Sequence, residues 1–166
     1  LRFADCRQPP TEYRLRLSPK ENKMRRLIAA AAVILAPAVA AAQAPQFLTT
    51  NPQSTAAFSP AVKVGNMLYL AGQEGTDHGK LAPGGIAAET KQALTNIKTV
   101  LEANGSDMEH VVKCTVFLAD IKEWAAMNEV YKTFFTAGKV PARSAFGASG
   151  LVGDARTEIE CIAVVK

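Results

Sequence analysis

Ala61-Val62-Lys63-Val64-Gly65-Asn66-Met67-Leu68-Tyr69-Leu70-Ala71 reads as two short strands joined by a two-residue loop. Gly65-Asn66 supplies the positive φ that a tight hairpin needs. Outward from there, Gly72 to Gly85 is glycine-rich and polar, which predicts a loop. From Ile86 to Ala103 the apolar positions Ala93, Leu94, Ile97, Val100 and Leu101 recur at helical spacing. Asn104-Gly105 stops this helix, because both residues tolerate the left-handed conformation at a helix end. Val111 to Leu118 is a β-branched strand. Asp120-Ile121-Lys122-Glu123 has the form of a capping box, and the helix it opens carries Trp124, Tyr131, Phe134 and Phe135 to near Gly138. Strands are expected at Ala142 to Ala148 and at Glu158 to Val165, with a glycine-rich turn between them. The order is ββαβαββ, an α+β sandwich with both helices on one face of the sheet. The other face then needs a cover, and its apolar residues are expected to be Val111 or Val112 with Phe117 and Ile162 or Val164.

Ahead of this domain the chain has a different grammar. Met24-Arg25-Arg26 is basic, Leu27 to Ala42 is almost wholly alanine and aliphatic, and Ala40-Ala41-Ala42 precedes Gln43. That is the three-part pattern of a secretory signal peptide over 24–42. The apolar run holds Pro37 and is short for a transmembrane helix, which needs about 20 residues. A soluble protein, exported to a periplasm or secreted, is therefore expected, without stable membrane insertion. Residues 1–23 precede the plausible initiator and read as an upstream extension or translation artefact. Residues 43–166 form one domain, with Gln43 to Ser59 as an irregular lead-in.

Removing the leader changes the charge balance. Eight of the 19 Lys and Arg and three of the 15 Asp and Glu fall in 1–42, leaving eleven basic against twelve acidic side chains and a net charge of −1. Nucleic-acid binding rests on a basic footprint against phosphates, and that footprint is missing.

Candidate chemistry is sparse. Arg143 lies between small residues in Val140-Pro141-Ala142-Arg143-Ser144, just past a proline that cannot donate to a sheet. Its planar fork suits a carboxylate held bidentately. The plainer reading is an ordinary cross-strand ion pair with Glu158, which opens the final apolar segment. Asn128 shares a helical stripe with Trp124 and Tyr131, so its amide either ties a neighbouring loop to the helix or forms a pocket wall beside Arg143. His78 and His110 sit in polar, turn-like stretches without metal-ligand spacing, and solvated surface roles are expected. No nucleophile elbow, phosphate loop or dinucleotide fingerprint occurs. Cys114 and Cys161 alternate with apolar residues in expected strands, so they read as small core residues. Export permits a disulfide between them, and geometry decides.

These residues together resemble the Rid family, the YjgF-type reactive intermediate deaminases. The resemblance is carried by Val62-Lys63-Val64-Gly65-Asn66, Ala71-Gly72-Gln73, Val111 to Leu118, Asn128-Glu129-Val130-Tyr131, Pro141-Ala142-Arg143-Ser144 and Glu158-Ile159-Glu160, and it runs from about Phe58 to Val165. It implies a chorismate-mutase-like fold, a homotrimer with a pocket at each subunit interface, and no metal or cofactor. The implied activity is hydrolysis of 2-imino acids, such as 2-iminobutanoate and 2-iminopropanoate, to 2-oxo acids and ammonia. The implied carboxylate-binding residue is Arg143 and the implied water-positioning residue Glu158, with Asn128, Gly72 and Phe58 completing the substrate site. Ala56-Ala57-Phe58 stands where the family commonly has Gly-Pro-Tyr. Ala71 stands for a small hydroxyl residue and Ala145 for a cysteine, so three polar pocket atoms are absent. The alternative on the same scaffold is a non-catalytic protein that binds small carboxylates or acts as a holdase.

The leader yields a direct test. N-terminal sequencing of the exported protein is expected to begin at Gln43. Mature material that starts at or before Met24 would overturn the assignment.

Overall fold

The computed structural model describes residues 43–49, 55 and 57–166. The expected signal peptide (24–42), the stretch before it (1–23) and Ala56 lie outside them. Among the described residues, nine strands and two helices run in the order β1 (Gln46–Leu48), β2 (Ala61–Val64), β3 (Met67–Leu70), β4 (Gln73–Glu74), β5 (Thr76–Asp77), β6 (Lys80–Leu81), α1 (Ile86–Ala103), β7 (Val111–Leu118), α2 (Trp124–Tyr131), β8 (Ala142–Gly147) and β9 (Thr157–Val164). The main sheet has the order β1-β2-β3-β9-β7-β8, with β4 also paired to β9. Among the described strands only β7 and β8 run parallel, and α2 provides the crossover that a parallel pair requires. The ββαβαββ core and its mixed sheet are as the sequence predicts.

Four local expectations need correction. The lead-in Gln43 to Ser59 is not wholly irregular, because Gln46–Leu48 pairs with Ala61–Lys63. The polar stretch after Gly72 holds β4 and a small β5–β6 hairpin. His78 (φ 47°) and Gly79 (φ 77°) form that hairpin's turn, both with the positive φ of a type I′ loop. The second helix ends earlier than Gly138: α2 stops at Tyr131 and a 3₁₀ turn, Lys132–Phe134, follows. Finally, Asp120 does cap, accepting the Lys122 N–H at 2.9 Å, but Glu123 does not reach back to complete a box. It pairs with Arg156 instead.

Strand alternation sorts the sheet into two faces. Leu68 and Leu70, Val111, Cys114, Val116 and Leu118, and Ile159, Cys161 and Ala163 point to one side. There they meet Ala93, Leu94, Ile97 and Leu101 of α1 and Met127 and Tyr131 of α2. Both helices therefore share one face. A bulge in β7 between Val111 and Lys113 shifts the register and decides which valine faces out. Val111 is buried, whereas Val112 is exposed. The open face carries Tyr69, Val112 and Phe146, all more than two-fifths exposed, beside the half-buried Phe117, Ile162 and Val164.

A buried carboxylate that sequence reading passed over ties the layers together. Glu89, in the first turn of α1, is 4% exposed. It accepts the backbone N–H of Arg156 at 2.8 Å, just before β9. Partnering of this kind is what makes a buried charge tolerable.

Cys114 and Cys161 stand directly opposite each other on β7 and β9 and are joined as a disulfide with Cα atoms 4.1 Å apart. The bridge closes a loop of 47 residues containing α2 and β8. A loop of that length is worth up to about 4 kcal/mol through restriction of the unfolded chain. Reduction, or the double replacement Cys114→Ala with Cys161→Ala, is expected to lower Tm by on the order of 10 °C. Thiol titration of the denatured, unreduced 43–166 domain should find no free sulfhydryl. Two free thiols would refute the bridge.

Candidate active site

The proline-flanked arginine is held by rings. Arg143 is on β8 in parallel register with Cys114, whose side chain faces the helices, so Arg143 faces them too. Its guanidinium lies over the ring of Tyr131 at 4.5 Å and of Trp124 at 5.6 Å, both from α2. Cation–π contact occupies the flat face of the guanidinium and leaves its N–H edge available. Arg143 has no carboxylate partner among the described residues. The plain cross-strand pair with Glu158 is therefore not what holds it. Burial pushes the Tyr131 hydroxyl up to about 12, against the opposing pull of the Arg143 charge. Asn128 shares a small pocket of about 230 Å³ with Arg143, Tyr131 and Pro141. Asn128 is half-buried; the buried core of its helix is formed by Met127 and Tyr131, while Trp124 is 40% exposed.

Glu158 is on the opposite face. It pairs with Phe117 across β7 and with Glu74 across β4, and Phe117 stacks edge-on with the exposed Phe146 at 4.9 Å. Glu158, Gly72 and Phe58 line a second pocket of about 550 Å³ together with Gln73, Glu74 and Val152. Gly72 is there for space. A Cβ at that position would stand 1.8 Å from the Glu158 Oε1 atom. The next glycine answers a different need, because a Cβ at Gly75 would meet the Cα of Glu89 at 2.4 Å and its carbonyl oxygen at 2.5 Å.

The five expected site residues thus fall into two separate pockets on one chain. Asn128 and Arg143 line one at the β8 margin, and Phe58, Gly72 and Glu158 line the other. Strand parity is the reason, since one residue's difference in register reverses the face a side chain occupies. Sequence reading missed Glu74, the carboxylate opposite Glu158. Burial holds its carboxyl above the ordinary range first, and the negative Glu158 and Glu89 add to this. Its signal was the acidic residue directly after Gly72-Gln73. The histidines stay out of both pockets. His78 is on the β5–β6 turn, and the His110 ring bonds Asp107 at 2.7 Å. Among the described residues no group of histidine, cysteine or carboxylate side chains could hold a metal.

Residues 48–165 match the family described as endoribonuclease L-PSP. This chain belongs to that family. It is 48% identical over 115 residues to the 2-iminobutanoate/2-iminopropanoate deaminase of Rattus norvegicus, covering 68% of this chain and 83% of the relative. The human protein of the same name is 43% identical over the same shares of each chain. Among solved structures, the crystal structure of RidA from an Antarctic Psychrobacter superposes with a TM-score of 0.66 at 35% identity, covering 72% of this chain and 99% of the other. Yeast Mmf1 superposes with a TM-score of 0.68 at 33% identity, covering 74% and 100%. The resemblance to Rid proteins is therefore a family membership, and the α+β fold is the family's.

The two glycines separate space from backbone contact. Gly72→Ala displaces only the end of a flexible side chain and is expected to cost less than about 1 kcal/mol, whereas Gly75→Ala collides with a helix backbone and should cost about 2 kcal/mol or more. Urea unfolding of both variants checks the order. Equal costs would show that Gly72 is not a site for the Glu158 carboxylate alone.

Proposed function

We propose that this protein hydrolyses 2-imino acids, among them 2-iminobutanoate and 2-iminopropanoate, to 2-oxo acids and ammonia. The observation that carries this reading is a guanidinium with its face stacked on two rings and its N–H edge unpaired by any acid among the described residues, in a chain 48% identical over 115 residues to a protein named for that reaction. Such a fork takes a substrate carboxylate through two parallel hydrogen bonds and so sets the adjacent imine carbon in a fixed place. Glu158 holds water, takes a proton from it as the oxygen bonds to that carbon and passes this proton to the nitrogen, giving a carbinolamine. It then moves the carbinolamine hydroxyl proton to the same nitrogen, so that the C=O bond forms as the C–N bond breaks and ammonia leaves. A four-carbon imino acid hydrolyses unaided, so positioning and one proton shuttle suffice.

We infer further that each site is shared between copies, since Arg143 and Glu158 face opposite sides of the same sheet. The exposed apolar face with Tyr69, Val112 and Phe146 supports association, and a homotrimer is our reading of its closed symmetry. Export remains part of the proposal, supported by the leader sequence and by a disulfide of the kind that persists in oxidising compartments. A carboxylate binder without turnover is less favoured, because Glu158 would only repel its ligand. RNA cleavage is disfavoured by the domain's net charge of −1.

Arg143→Lys keeps the charge and loses the fork, so kcat/KM for 2-iminobutanoate should fall at least about tenfold with KM raised. Glu158→Gln should lower kcat about a hundredfold or more while 2-oxobutanoate still binds. Co-expression of an Arg143→Ala chain with a Glu158→Gln chain then tests the sharing. Random trimers rebuild one intact site in about a quarter of positions, so activity should return in the mixture though each parent is inactive. A Glu158→Gln protein as fast as the parent would end the hydrolase reading. A mixture that stays inactive would end the shared site.

A further inference from the structure

Glu74 is a second carboxylate in the Glu158 pocket, and the proposed reaction makes no use of it. The two residues are register partners on β4 and β9. Directly opposed residues on neighbouring strands place their Cβ atoms about 4.5–5.5 Å apart, and like charges there are unfavourable. Neither carboxylate forms an ion pair among the described residues, and no lysine or arginine lines this pocket. The nearby Glu89 does not relieve the repulsion. Its own charge is met by the Arg156 backbone N–H and, at 3.9 Å, by the Arg156 side chain. In the shared site proposed above, the Arg143 that a neighbouring copy brings is met by the substrate carboxylate, so the second negative group beside Glu158 is left for a cation carried by the rest of the ligand.

The shape of the pocket fits the same conclusion. On one copy, before a neighbour covers it, its volume is about 550 Å³, so the walls this chain supplies do not close around a four-carbon imino acid. Phe58 and Val152, both largely exposed, provide an apolar rim along which a methylene stem can lie while a charged end stays near the carboxylates.

We propose that Glu74 makes this site select 2-imino acids whose side chain ends in a positive charge. This rests on the imine-hydrolase reading and specifies its substrate class. A side chain bearing a second carboxylate is correspondingly rejected. Desolvation, and then Glu158 and Glu89, hold the Glu74 carboxyl above its ordinary range. A bound cation favours its ionised form, so the preference grows as pH rises through that titration and fades below it.

The test uses imines generated in place by an amino-acid oxidase, with hydrolysis measured against trapping by semicarbazide. Three substrates are compared: the guanidinium-bearing imine of arginine, neutral 2-iminobutanoate, and the dicarboxylate imine of glutamate. The parent protein should show the order cationic, neutral, acidic in kcat/KM. One charge acting across a partly solvated pocket corresponds to a factor of about ten. Glu74→Gln should therefore reduce the cationic-to-neutral ratio about tenfold, and Glu74→Lys should favour the acidic imine over the cationic one. Thermal unfolding of both variants establishes that they fold. Activity on 2-iminobutanoate with a cationic-to-neutral ratio unmoved by either substitution overturns the role of Glu74 and leaves the hydrolase reading standing. Failure of the parent protein on all three imines overturns both.

Discussion

Everything in this domain hangs on β9. It is the strand that pairs with β3 and β4 on one side and β7 on the other, and its alternate side chains serve two purposes. Ile159, Cys161 and Ala163 fill the core, while Glu158, Glu160 and Ile162 face away from the helices. Because the period is two, a slip of one residue would put carboxylates into the core and isoleucine into the pocket. The register is pinned by the disulfide to β7, by full burial of Ile159 and Ala163, and by the anchoring of Arg156 to α1 through Glu89. The pocket at one end of β9 is thus stabilised by interactions spread along its length.

Positioning of Arg143 follows a different logic. It lies on β8, the outermost strand on its side of the sheet, where backbone pairing is available only from β7. The rings of Trp124 and Tyr131 supply the constraint that a second neighbouring strand would have given. An aromatic stack fixes the plane of a guanidinium without using its hydrogen-bond donors. A salt bridge would have used those donors. The choice of partner therefore determines whether the arginine holds the fold together or remains available to a ligand.

Much of this was legible in the sequence. Helix α1 and strand β7 have the bounds the periodicity predicts, because a long amphipathic stripe and a long β-branched run each give a strong signal. The hairpin was legible from Gly65-Asn66, with Gly65 taking a φ of 62°. Short elements were not. Gln46–Leu48 forms a strand through pairing with β2, and three residues carry no readable period. The β7 bulge is set by tertiary pairing and left the choice between Val111 and Val112 open to sequence. Arg143, Asn128, Gly72, Phe58 and Glu158 could be picked out by type and resemblance. Their division into two pockets could not, since it depends on which face each strand presents. Glu74 and Glu89 escaped notice because an isolated acidic residue reads as solvated until its surroundings are known.

The central position of β9 also has a consequence in time. Of the described strands it is the last to be synthesised, yet β3, β4 and β7 all wait for it. Before it emerges, the earlier segments can form helices and the β2–β3 hairpin, whose contacts are local. They cannot close the sheet or form the Cys114–Cys161 bond. Assembly of the domain is therefore held back until synthesis has passed residue 164. A polypeptide that postpones its compact state in this way stays open while the earlier segments are being made, and the step that locks it comes only when β9 arrives.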